Sequence, residues 1–156
     1  MKMKEVEVIR VAIDLDLKMP VVLLRDKKEG KKLPIWMELS EARAVALAME
    51  RTPSFFPLTC DFARKIIEKF KARVDKVVID ELKNNVYYAK IFIKTDKKIL
   101  KITAFPSQAI VLALKFKAPI YIDEVKIAAR EEPIRDEEIE EFKEKLKEIK
   151  PEDFAL

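Results

Sequence analysis

The sequence predicts an α+β fold, a twisted and mainly antiparallel sheet of two three-stranded meanders covered by helices, with a charged helix at the C-terminus. Three observations predict it. Each half of the chain reads as three short stretches of strand pattern followed by one apolar helix rich in small side chains. Turn-forming residues separate the strands within each half. A highly charged amphipathic pattern appears only after residue 130.

The elements follow in order. EVEVIRVAI (5–13) alternates at first and then turns mostly apolar, as a half-buried strand does. PVVLLRD (20–26) and KKLPIWM (31–37) are the second and third strands. KKEGK forms the turn between them, with Gly30 as the residue able to take positive φ. From Ser40 to Met49 the pattern is helical. Ser40 is a good N-cap, and Glu41 suits the positive end of the helix dipole. Pro53 and Pro57 bracket a rigid connector. A second helix begins at Thr59 or Asp61, with Phe62, Ile66 and Phe70 sharing one face. VDKVVID (74–80) and VYYAKIFI (86–93) flank a turn at Lys83-Asn84-Asn85, and Ile99 to Ala104 gives the next strand. A helix over 107–116 and a short strand, PIYI (119–122), complete the second half.

Length and composition fit one domain over residues 1–130 with an acidic, amphipathic helical tail over 131–156. In the tail, Ile139, Phe142, Leu146 and Ile149 form a narrow apolar stripe that suits docking or a partner chain, and Pro151 ends it. No apolar run approaches the roughly 20 residues that cross a bilayer, so no membrane partner is expected. The N-terminal MKMKEVEV lacks an apolar signal core, so a cytoplasmic location is the expectation. Cys60 is the sole cysteine, which excludes an internal disulfide. One glycine, one glutamine and two asparagines among many Lys and Glu residues match a thermophile's composition.

The chain has no histidine. That excludes a Ser-His-Asp triad and any His-ligated zinc, and neither zinc nor a nucleotide cofactor is expected. Unaided chemistry would have to run on carboxylates, most naturally with Mg²⁺ or Mn²⁺. Charge is unevenly spread. Residues 123–156 hold seven Lys/Arg against thirteen Asp/Glu, whereas residues 1–122 hold 25 against 15, a net +10. Such a basic body suits DNA, RNA or another polyanion, and equally the solvated surface of a thermophile.

Three segments then resemble one family, the bifunctional nuclease domain proteins. LPIWMELSEARAVALAME (33–50) looks like its signature, FPLTCDFARKIIEKFKARVDKVVIDELKNNVYYAKI (56–91) like its central block, and AFPSQAIVLALKFKAPIYI (104–122) like its last block. The resemblance implies cleavage of DNA and RNA, an α+β fold and a homo-oligomer. The tail stripe and the Phe55-Phe56 pair offer surfaces for self-association. The departures all run one way. Where the family commonly reads Asp-x-Arg-Pro-Ser-Asp-Ala, this chain has Thr103, Phe105 and Gln108 in place of acid, arginine and acid. Upstream, Phe56 stands for an arginine and Cys60 for a histidine. Pro106, Ser107, Thr59, Asp61, Glu41 and Arg43 match.

The resemblance makes Glu41 and Asp61 the candidate metal ligands, and Glu41, Asp61 and Ser107 the candidate catalytic residues. Arg43 and Lys65 are the candidate nucleic-acid contacts. Each has a plainer reading. Acids near helix starts complement the dipole, Ser107 is an N-cap, and Cys60 is a small buried hydrophobe. Asp80, Glu81 and Asn84 read as turn residues. Tyr87, Tyr88 and Phe92 suit base stacking, but alternation puts Tyr88 and Phe92 on one face, as a core pair would be. Phe56 and Phe105, each preceding a proline, are expected to be neighbours. Three functions remain open: a metal-dependent nuclease with weak or lost activity, a non-catalytic polyanion binder, and a structural protein.

Overall fold

The structure, a computed structural model, describes residues 3–16, 18–51, 59–124 and, for the backbone alone, 146–148. The first meander is β1 (Met3–Asp14), β2 (Pro20–Asp26) and β3 (Lys32–Trp36). Helix α1 (Leu39–Glu50) follows, then α2 (Thr59–Lys69). The second meander is β4 (Arg73–Lys83), β5 (Val86–Lys94) and β6 (Ile99–Ala104). After it come α3 (Pro106–Phe116) and β7 (Ile120–Asp123).

These seven strands join in one sheet of order β3-β2-β1-β7-β4-β5-β6. The two predicted meanders are therefore halves of one surface, and β7 closes the seam between them. It runs antiparallel to β1 and parallel to β4. Its alternation explains the position, since Ile120 and Ile122 are buried on the core side. Both long strands carry register shifts, in β1 between Val8 and Arg10 and in β4 at two places, which let the wide sheet twist.

Helices α1 and α3 lie side by side on one face of the sheet. Alanines at the contact bring their backbones close: Ala42, Ala109 and Ala113 are fully buried. Ile110, Val77 and Ile79 fill the layer between α3 and the sheet. The turns follow the expected chemistry. Gly30 has φ of 75°, and Asp26 Oδ1 accepts the backbone N–H groups of Lys28 (2.8 Å) and Glu29 (3.2 Å). Asn84 and Asn85 both take positive φ at the β4–β5 hairpin. With one glycine in the chain, the left-handed positions closing the helices fall to Arg51, Lys71 and Lys117.

Phe62, Ile66 and Phe70 share one face as expected, along α2 and just past its end, and that face turns outward, with exposures of 63, 43 and 78%. The smaller Cys60, Ala63 and Ile67 turn inward instead, because α2 approaches the core only at its edge. At the C-terminus, most of the expected helix over 136–150 lies outside the described residues. Leu146–Glu148 is a short strand, β8, paired antiparallel with Ala12–Asp14 of β1, and not a helical turn. The Phe55-Phe56 pair also lies outside the described residues.

Candidate functional site

The starts of α1 and α3 meet, and this junction is built from the residues the sequence singles out. At α1 the N-cap is Glu38, with extended backbone (φ −73°, ψ 160°). Glu41, three residues on, reaches back so that its Oε2 accepts the Glu38 N–H at 2.9 Å. This places the cap two residues before the expected Ser40. At α3 the N-cap is Phe105 and Pro106 takes the first helical position. Gln108 Oε1 accepts the Phe105 N–H at 3.0 Å.

Ser107 is therefore not the cap. It is buried one position inside the helix, and its Oγ donates to Glu41 Oε1 at 2.9 Å. This hydrogen bond joins residues 66 apart in sequence and pins the two helix starts together. Both carboxylate oxygens of Glu41 are thus engaged, one by each helix. The position holds the carboxylate where the backbone N–H groups of two helix ends favour negative charge.

A cleft of about 740 Å³ opens beside this junction. Leu33, Trp36, Met37, Tyr87 and Phe105 give it apolar walls, with Glu41 and Ser107 at one end. A charged cluster marks the other. Lys4 Nζ is hydrogen-bonded to Glu29 and lies 3.3 Å from Glu124 and 3.4 Å from Asp26. Glu29 raises the Lys4 pKa most, burial opposes it, and Glu124 and Asp26 add to the rise. For Asp26, burial pushes the carboxyl up, but the Lys28 and Glu29 N–H groups and Lys4 outweigh it and leave the carboxyl lowered. Lys31 and Lys32 line the same end. No local pattern announces this cluster, because its members are scattered from residue 4 to residue 124. Only the turn that follows Asp26 was readable, from the KKEGK stretch.

The remaining candidates lie elsewhere. Asp61, in the first turn of α2, accepts from Lys115 Nζ in the last turn of α3. Ser107 and Lys115 are eight residues apart, about 12 Å along the helix axis. Glu41 and Asp61 thus engage opposite ends of α3 and do not share a site. Arg43 and Lys65 are exposed, and neither lines the cleft. The Cys60 thiol is half-buried, and that burial pushes its pKa up against the opposing charge of Lys115. It has the character of a packing residue and not of a reactive thiolate.

These residues do not fit a protein-held Mg²⁺ or Mn²⁺. Among the described residues there is no group of three or more Cys, Asp and Glu able to hold a metal. The helix junction supplies two carboxylates, Glu38 and Glu41, with one hydroxyl and one amide, short of the three or more clustered acids such an ion selects.

The chain is 34% identical over 164 aligned positions to uncharacterised proteins of two Mycobacterium tuberculosis strains, CDC 1551 / Oshkosh and ATCC 25618 / H37Rv. Each alignment covers 97% of this chain and 98% of the relative. Residues 22–134 match the bifunctional nuclease domain, a span that holds α1, α2, α3 and the whole Glu41–Ser107 junction. The chain belongs to the bifunctional nuclease domain family.

Proposed function

We propose that this chain binds DNA or RNA and hydrolyses its phosphodiester bonds weakly, with the helix junction as the remnant of a cleavage site. The observation that carries this reading is the Glu41–Ser107 junction. The frame that aligns two helix starts is intact, while its donor set is too poor for the metal-assisted cleavage that the family name implies. The net charge of +10 over residues 1–122 supports polyanion binding, and Lys31 and Lys32 carry part of that charge at the end of the cleft opposite the junction.

What the residues can do follows from their chemistry. Lysines attract phosphates without reading sequence, so binding is broad across DNA and RNA and falls steeply with salt. Glu41 fixes the Ser107 hydroxyl and so holds the two helices in register beside the bound strand. No histidine exists to take a proton from Ser107, so the serine is an orienting group and not a nucleophile. Binding to fluorescein-labelled DNA and RNA oligonucleotides, titrated across salt, checks the reading. A linear fall of log affinity with log salt is expected. Absence of binding at low salt would refute it.

We extend the proposal to self-association. The exposed Phe62, Ile66 and Phe70 stripe on α2 is continuous enough to be an interface. Light scattering at micromolar concentration should give a multiple of 18.2 kDa, and Phe62→Lys with Phe70→Lys should reduce it. A native mass equal to one chain would rule the assembly out.

A further inference from the structure

We propose that the sheet face turned away from α1 and α3, over β4, β5 and β6, is a stacking platform for single-stranded nucleic acid. The inference rests on the nucleic-acid reading above and adds the strand type and the residues that hold it.

The alternation along β5 fixes which side chains share this face. Ala89, Ile91 and Ile93 are buried in the core under the helices. Tyr88, Lys90, Phe92 and Lys94 therefore point the other way. Tyr88 and Phe92 are half-buried and so are not the closed core pair that alternation alone suggests. The register completes the surface. Phe92 lies opposite Lys76 on β4 and Lys101 on β6, and Lys90 lies opposite Thr103. Tyr121 of β7 joins at the seam, opposite Val78. Aromatic rings thus alternate with lysines both along β5 and across the strands.

Two contacts show what the rings accept. Lys76 Nζ sits 4.9 Å from the centroid of Phe92, so that ring already takes a cation from the outer side. The Phe105 ring lies 5.7 Å from Tyr88 at 28°, stacked and itself 47% exposed. Val78 is buried on this face, and beside it Lys90 keeps a charged group in the middle of the face, with Asp80 at 3.6 Å. The acids Asp80 and Glu81 lie towards Tyr88, while Lys76 and the exposed Lys94 and Lys101 surround Phe92. A polyanion is thereby drawn to the Phe92 end.

Charge selects a phosphate backbone, and the flat rings select bases with a free face. Bases in a duplex are already stacked on each other, so an unpaired strand is the occupant that uses both features. Phe105 belongs to two surfaces, since it stacks on Tyr88 and also lines the cleft beside Ser107. A strand lying on the platform is therefore led to the helix junction.

Fluorescence anisotropy with a labelled twelve-nucleotide oligo-dT and a twelve-base-pair duplex tests this at low salt. The native chain should bind oligo-dT more tightly than the duplex. Tyr88→Leu with Phe92→Leu should weaken oligo-dT binding about tenfold or more, with duplex binding changed less than twofold. Tyr88→Phe with Phe92→Tyr should retain the affinity. Lys94→Glu with Lys101→Glu changes only exposed positions, so it keeps the test valid if the leucine variant fails to fold. It should also weaken oligo-dT binding about tenfold. Equal oligo-dT affinity in a folded leucine variant or in the charge-reversed variant, or tighter binding of the duplex, would overturn the platform and leave the broader binding reading intact. No binding of either probe would overturn both.

Discussion

Ile110→Ala will destabilise the fold by about 2–5 kcal/mol, the cost of emptying a fully packed aliphatic site. Ile110 is fully buried in α3, above β4, in the layer that holds the helix pair to the sheet. Its neighbours Ala109 and Ala113 are already small and cannot move inward to fill the space. Urea unfolding should show the loss as a lower midpoint at unchanged slope. Leu15→Ala, in the exposed turn after β1, is the control, and its effect should stay within about 0.5 kcal/mol. A loss below about 1 kcal/mol for Ile110→Ala would mean that the helix layer is loosely packed.

Much of this architecture was readable from the residues. The repeated order of three strands and one helix was clear because turn residues and periodicity agree at each boundary. The strand order was not, since no local pattern tells β7 to insert between β1 and β4. At the site, Glu41 and Ser107 could each be picked out. Their contact could not, because it depends on how α1 and α3 pack. The caps were misplaced for a local reason. Glu41 and Gln108 reach back from the third helical position, which shifts each cap upstream of its serine. Asp61 looked equivalent to Glu41 because both are acids at helix starts, yet α2 meets the far end of α3. Tyr88 and Phe92 read as core because both faces of β5 carry large apolar side chains, and the sequence of such a strand does not say which side the helices cover. The expected pairing of Phe105 with Phe56 falls partly outside the described residues, and the ring stacked on Phe105 is Tyr88.

Restoring the family's charges at the α3 start will trade stability for metal affinity. The variant carries Thr103→Asp, Phe105→Arg and Gln108→Asp together. Phe105→Arg removes the stack on Tyr88, worth about 0.5–1.5 kcal/mol. Gln108→Asp shortens the side chain that now accepts the Phe105 N–H and loses about 1 kcal/mol of capping. An acid in the first turn of α3 recovers part of this through the helix dipole. All three positions are at least partly exposed, so the fold should survive. The gain is two further carboxylates beside Glu38 and Glu41. Calorimetric titration with Mn²⁺ should detect binding in this variant and little in the native chain. A folded variant with no gain in Mn²⁺ affinity would place the family's chemistry away from this helix start.

The native junction is proposed to keep the family's frame with only weak cleaving power. This is tested most directly by the rate at which the native chain and the restored variant cleave single-stranded DNA and RNA with Mn²⁺ and with EDTA. The account predicts cleavage near background for the native chain, in a range where it binds the same strands, and chelator-sensitive cleavage at least about tenfold faster for the restored variant. Rapid, EDTA-sensitive cleavage by the native chain that Glu41→Gln abolishes would contradict it.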